Sequence, residues 1–271
     1  MPAARHEVIA HENERFSPPD WPQTLETDVY LPADRPQPVP AVIVIHGGGW
    51  EDRSRADMTR LSKNLARHGL AAVNIDYRFA PEHRFPAQQA DVEAAIAWTR
   101  ENAERFSIDA DRIGLVGFSS GAHLAAMAAL ARGAGEHRRA DEPCLFAVVA
   151  GGIPADFLRF DEDGPLLQQL LGTTRSDSPD AYRRASPITH VSPNAPPFFL
   201  FHGTLDRMVP FEQAEAMHQA LLDSGAHSEL YGMRLRGHTT AFLTRRSAMR
   251  QATAFLHEKA RAPACATGLD E

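Results

Sequence analysis

From Ala41 onward the chain alternates short apolar runs with longer stretches in which apolar residues recur every three or four positions. The runs lie at residues 41–45, 70–75, 112–116, 145–150 and 198–201, with a more polar one at 228–235. Short runs that are apolar without alternation, and rich in β-branched and aromatic side chains, predict strands buried on both faces of a parallel sheet. Between them, Met58, Leu61 and Leu65, then Val92, Ile96 and Ala103, then Ala214, Met217 and Leu221, and finally Phe242, Met249, Ala252 and Leu256 fall at helical spacing. Each set places its apolar side chains on one face, as a helix packed on a sheet requires. Strands alternating with helices predict a doubly wound α/β fold with right-handed crossovers.

Two segments depart from this rhythm. Residues 17–40 are rich in proline and contain one strand-like stretch at 25–31, which reads as an entry segment. More than forty residues separate the runs at 145–150 and 198–201, and they include Phe157, Leu158, Leu166, Leu167, Leu170 and Leu171. Long connections in compact domains are usually functional. The leucines favour a small helical cap insertion, about 152–195, over a wandering surface loop.

Composition narrows the classes. With 271 residues, 43% of them hydrophobic and only 18 Gly and 20 Pro, the chain reads as a single globular α/β domain over 1–271, with a flexible C-terminal tail from about 260. The 28 basic residues against 35 acidic ones give a net charge of −7 without a basic stripe, which argues against a nucleic-acid partner. Cys144 and Cys265 are too few for a disulfide framework. The charged first sixteen residues offer no signal-peptide core, and no run approaches membrane-spanning length. The expectation is a soluble, cytoplasmic protein without a membrane partner. Thirteen histidines include no His-Glu-x-x-His pattern, and there is no Cys-x-x-Cys, so no metal site is expected.

The candidate chemistry sits where the runs end. Gly117, Phe118, Ser119, Ser120 and Gly121 fit G-x-S-x-G directly after a strand and before an Ala-rich helix, the setting of a nucleophile elbow. A plain turn with a serine cap is the structural alternative. His46, Gly47, Gly48, Gly49 and Trp50 end the run at 41–45, and such a glycine turn can aim N–H groups at a developing oxyanion. Asp206 follows the run at 198–201, and His238 follows the one at 228–235. Open α/β sheets place their sites at these strand ends, and the order Ser, Asp, His is that of the α/β-hydrolases.

The segments HGGGW (46–50), DYRFAPEHRFPAQQADVEAAIAWTREN (76–102), DADRIGLVGFSSGAHLAA (109–126), ASPITHVSPNAPPFFLFHGTLDRMVP (185–210) and RGH (236–238) resemble bacterial α/β-hydrolase esterases. The resemblance is greatest to the hormone-sensitive-lipase-like and the feruloyl/acetyl-xylan-type (BD-FAE) esterases, and it covers roughly residues 25–258. It implies an α/β-hydrolase fold: a mostly parallel central sheet with helices on both faces. It further implies Ser119 as nucleophile, Asp206 as acid, His238 as base, and the backbone N–H groups of Gly48, Gly49 and Ser120 as an oxyanion hole. The reaction so implied is hydrolysis of small to medium acyl esters through an acyl-enzyme, with a small-molecule ester as partner and without cofactor or metal.

Where relatives often carry Ala and Gly after the nucleophile, this chain has Ser120 and Gly121; Thr239 and Thr240 then precede Phe242 after the base. HGGGW also fits the HGGxW pattern of kynurenine formamidases, which keeps an arylformamidase-type amide hydrolase as one alternative. A non-catalytic ligand-binding homologue is the other. Trp50, Phe157, Leu166, Leu167 and Met208 are candidate pocket-wall residues, as are Phe79 and Phe118, although core packing would equally suit the last two. Arg78, Glu82, His83 and Arg84 are expected in structural hydrogen bonding.

Overall fold

The computed structural model describes residues 6–34, 37–131, 145–160 and 163–262. Both cysteines, and the expected tail beyond residue 262, lie outside the described residues. Eight strands form one sheet: β1 (Val8–Arg15), β2 (Glu26–Pro32), β3 (Val39–Ile45), β4 (Ala71–Ile75), β5 (Ile108–Phe118), β6 (Val148–Gly151), β7 (Phe198–Gly203) and β8 (Ser228–Met233). Their spatial order is β1-β2-β4-β3-β5-β6-β7-β8. The pairs β1 with β2 and β2 with β4 are antiparallel, and every other pair is parallel. The helices are α1 (Thr59–Arg67), α2 (Ala87–Glu101), α3 (Ala103–Phe106), α4 (Ser120–Ala131), α5 (Pro165–Leu171), α6 (Pro179–Arg184), α7 (Phe211–Asp223), α8 (His238–Leu243) and α9 (Arg246–Arg261). This is the α/β-hydrolase fold.

Successive side chains of a strand point to opposite faces, so a strand buried on both sides feeds two cores. Ile43 and Ile45 of β3 join Val92, Ile96, Leu124, Ala128, Met217 and Leu221 on the face covered by α2, α4 and α7. Val42 and Val44 join Leu61, Leu65, Ala248, Met249, Ala252 and Leu256 on the face covered by α1 and α9. Helix α4 has no polar stripe: Ala122, Leu124, Ala125, Ala126, Met127, Ala128 and Leu130 are all buried, the signature of a helix enclosed on every side. That enclosure fixes the helix whose N-terminus adjoins Ser119.

Four local readings of the sequence need correction. Strand β1 was not anticipated, because its sequence VIAHENER is mostly charged and polar, as suits an edge strand. The run at 228–235 stops at Met233, since Leu235 takes a left-handed backbone (φ 56°) that no strand accepts. The helical pattern over 242–256 divides into α8 and α9 at residues 244–245. Helix α9 also runs through Arg261, so residues 260 and 261 are not tail. Among the described residues, no helix is long and apolar enough to cross a membrane.

Candidate active site

The chain leaves β3 for β4 on one side, then returns to place β5 on the other side of β3. This reversal opens a crevice beyond the carboxyl ends of β3 and β5, the position at which open α/β sheets bind ligands. His46 to Trp50 follow β3, and Ser119 follows β5, so both motifs flank the crevice.

Ser119 sits between β5 and α4 with φ 55°, a left-handed conformation that a non-glycine residue adopts only when its surroundings impose it. Its N–H donates to Gly151 O (2.8 Å), and its carbonyl accepts from His123 N (3.0 Å). A Cβ at Gly121 would collide with the carbonyl oxygens of Ile45 and His46, so α4 can start this close to β3 only with glycine there. Gly48 has φ +129°, and a Cβ on it would strike Asp52 O. The Gly48 carbonyl accepts from the N–H groups of Glu51 and Asp52, which folds the loop into a compact turn. Neither Gly48 nor Gly49 donates its N–H to another described residue. The first N–H groups of α4, Ser120 among them, likewise have no intrahelical acceptor.

His238 opens α8 and Asp206 lies in the loop after β7. Their side chains meet, His238 Nδ1 donating to Asp206 Oδ2 at 2.6 Å. Asp206 Oδ1 accepts from the N–H groups of Met208 (3.0 Å) and Val209 (2.9 Å). His202 Nε2 donates to Val209 O (2.8 Å) and lies 3.3 Å from Asp206 Oδ2. Burial by itself would raise the Asp206 pKa, but the bonds from His202, His238 and Val209 outweigh it and hold the carboxyl well below the usual carboxylate range. The carboxylate is therefore ionised throughout the neutral range. With Nδ1 engaged, His238 Nε2 is left buried and without a hydrogen-bond partner among the described residues.

Ser119 and His238 line one cavity of about 730 Å³, together with Gly48, Gly49 and Trp50. Phe118, Phe160, Leu166, Leu167, Met208 and Phe242 supply its apolar wall, while Glu51, Asp52, Arg53 and Asp57 stand on its polar side. Of the expected wall residues, Trp50, Phe118, Leu166, Leu167 and Met208 line this cavity. Phe157 is not: it is fully buried, stacked on His123 (centroids 4.8 Å apart) and edge-on to Trp50. Phe79 is also absent from the wall and packs edge-on against Tyr77 and His46.

Several supporting residues, His123, Gln213 and Arg55 among them, carried no signal in the sequence. Trp50, itself left-handed at φ 63°, donates its indole N–H to His123 Nδ1 (3.2 Å), and His123 Nε2 donates to Ala185 O (2.7 Å). This chain of bonds ties the glycine loop to α4 and to the 152–197 segment. Burial pushes the His123 pKa down to about 4, so the ring is neutral and its tautomer is set by the two bonds. Gln213 of α7 anchors the same segment, its Oε1 accepting from the N–H groups of Ala155 (2.9 Å) and Asp156 (2.7 Å). Beyond the glycine loop, Arg55 bonds Asp28 (3.1 Å), Glu26 (3.1 Å) and Asp76, and also reaches Asn13 Oδ1 (2.5 Å) on β1. Arg78 pairs with the fully buried Asp91, as the structural reading expected. No group of three His, Cys, Asp or Glu side chains among the described residues is placed to hold a metal ion.

A family model described as BD-FAE matches residues 27–221. The chain belongs to the BD-FAE family. Among curated proteins this BD-FAE member is 34% identical over 233 residues to "Esterase LipC" of Mycobacterium tuberculosis, covering 81% of this chain and 57% of the relative. It is 29% identical to a probable isoprenylcysteine alpha-carbonyl methylesterase of rice, covering 80% of this chain and 54% of the relative. The chain spans about half the length of the curated relatives it matches. Among solved structures, a truncated carbohydrate esterase from gut microbiota superposes with a TM-score of 0.86 at 25% identity, covering 96% of this chain and 99% of that one. Apo esterase 2 of Thermogutta terrifontis superposes with a TM-score of 0.76 at 26% identity, covering 93% and 94% of the two chains.

Proposed function

We propose that this chain is a carboxylesterase that hydrolyses small to medium acyl esters through a covalent ester on Ser119. The observation that carries the reading is His238, whose Nδ1 is fixed on Asp206 while its buried Nε2 is unpartnered in the cavity that Ser119 also lines. In the first step Ser119 Oγ attacks the ester carbonyl and His238 Nε2 takes the hydroxyl proton. Asp206 holds the imidazole tautomer and stabilises the cation that forms. The N–H groups of Gly48, Gly49 and Ser120 receive the negative oxygen. His238 returns the proton to the leaving alcohol, and water repeats the sequence to free the acid and Ser119.

The segment at about 152–195 acts as the cap, giving Pro154, Phe160, Leu166 and Leu167 to the cavity wall. A cavity of this size suits a short or medium acyl group beside its alcohol. Curated relatives named as esterases support ester over amide substrates. The test is a panel of p-nitrophenyl esters of increasing chain length, run beside N-formylkynurenine, with fluorophosphonate labelling of the wild type and of Ser119→Ala. Labelling confined to the wild type and turnover of short esters are expected. Labelling that persists in Ser119→Ala, or turnover of the formamide alone, would overturn the reading.

A further inference from the structure

Among the described residues seven large apolar side chains are exposed, and five of them lie on the cavity lining or on the loops that carry Asp206 and lead to His238: Leu166, Leu205, Met208, Leu235 and Leu243. Leu166, Met208 and Leu243 line the cavity directly. Leu205 and Leu235 stand in the loops after β7 and β8, which are joined by Leu205 N donating to Arg236 O (2.9 Å) and Leu235 N to Thr204 Oγ1 (3.1 Å). The exposures are 58% for Leu205, 64% for Met208, and 71% for both Leu235 and Leu243, so these side chains project rather than pack. Catalysis in the cavity does not account for Leu205 and Leu235, which lie outside its wall.

The same loops are basic. Arg207, Arg234 and Arg236 stand on them, Arg245 lies between α8 and α9 and Arg246 opens α9, and residues 234–257 contain no acidic side chain, in a chain whose net charge is −7. None of the five has a carboxylate within ion-pair distance among the described residues. Arg236 Nε is held by Thr244 Oγ1 (3.1 Å), and the Arg245 guanidinium lies 3.8 Å from the centre of the Phe242 ring, which keeps both cations at the Leu243 end of α8.

We propose that this face adsorbs to an anionic lipid surface, with the leucines entering the headgroup boundary and the arginines meeting the lipid charges. Projecting apolar side chains interleaved with unpaired cations are the pattern of interfacial anchoring. A second copy is a poorer occupant, because a two-fold contact through this face would set arginines against arginines. The leucines are also separate projections from loop and helix ends, which suits a soft acyl boundary better than a preformed protein groove. The absence of a spanning run, from which the sequence argued against a membrane partner, does not bear on adsorption.

The experiment is co-sedimentation of the full chain with large vesicles of phosphatidylcholine alone and of phosphatidylcholine mixed equally with phosphatidylglycerol, at low and high salt. Binding to the anionic vesicles alone, weakened by salt, is expected. Leu205→Ser/Leu235→Ser should lower the partition about tenfold or more, and Arg234→Gln/Arg246→Gln by about fivefold for each arginine removed. Thermal unfolding verifies that each variant is folded, and either pair suffices if the other is not. Ser119→Ala should bind as the wild type does, which separates this result from the fate of the esterase reading. The proposal is overturned by no binding to anionic vesicles at low salt, by equal binding to both compositions, by binding that folded variants of both pairs retain, or by sedimentation velocity showing copies paired through this face.

Discussion

At Ser119 and at Trp50 the backbone is left-handed in residues that ordinarily avoid it, and the contacts holding the two conformations are shared. Ser119 is fixed by Gly151 O and by the backbone N–H of His123 in α4; Trp50 is fixed by the imidazole of that same His123. Replacing Ser119 by Ala should leave the unfolding transition in place and lower kcat for a short p-nitrophenyl ester by several orders of magnitude. Asp206→Asn should cost roughly 10⁴-fold in kcat by disturbing the His238 tautomer, whereas Asp223→Asn, at the exposed end of α7, should change little. Equal losses in the two Asp variants would show the carboxylate to be wrongly assigned. Trp50→Phe keeps the ring but removes the donor to His123 Nδ1, so urea unfolding should report a loss of about 1–3 kcal/mol. That Ser119, Asp206 and His238 come to one place was legible because each follows a run that ends in a turn. His123 was not, since a histidine in an Ala-rich helix gives no sign of facing a tryptophan 73 positions away.

Helix α4 and the 152–197 segment meet through His123, and that contact carries a pH dependence. Its folded pKa of about 4 lies below the ordinary 6.5, so the unfolded chain binds the proton more readily. Stability therefore falls as pH drops from about 6.5 toward 4, by up to about 3 kcal/mol from this group. Urea midpoints measured across that window should decline in the wild type and flatten in a folded His123→Gln; an unchanged slope would show that other groups carry it. Arg78 and Asp91 present a second coupling, between the loop after β4 and helix α2. Burial pushes the Asp91 carboxyl up in spite of Arg78, and Arg78→Met would strand it, at a cost of about 3–5 kcal/mol in chemical unfolding. At this scale the central strands were readable because burial on both faces leaves only apolar side chains. Strand β1 and the break between α8 and α9 were not, because edge pairing and a two-residue turn leave no periodic trace. Phe157 was misplaced for a related reason: a three-residue 3₁₀ turn, Phe157–Arg159, has no period from which a facing direction can be read.

Across the whole molecule, the sheet reversal between β4, β3 and β5 decides where chemistry can occur, and the alternation of runs along the chain was enough to anticipate a doubly wound sheet. The sheet order, the antiparallel edge and the depth of the cavity depend on contacts between distant segments, which periodicity does not record. On the proposed esterase reading, a single base at this site gives a simple acid limb. Since His238 must be neutral to accept the Ser119 proton, kcat/KM should fall tenfold per pH unit once well below the midpoint, while the fold persists. A limb of slope two, or none, would point to another base. The Arg55 cluster extends the site's support furthest, because one guanidinium joins the segment after the glycine loop to Asn13 on β1, Glu26 and Asp28 on β2, and Asp76 after β4. For anyone trimming or fusing this protein, the outermost strand is thus no dispensable margin: shortening the chain past Asn13 removes a strut that reaches the segment after the glycine loop from the edge of the sheet.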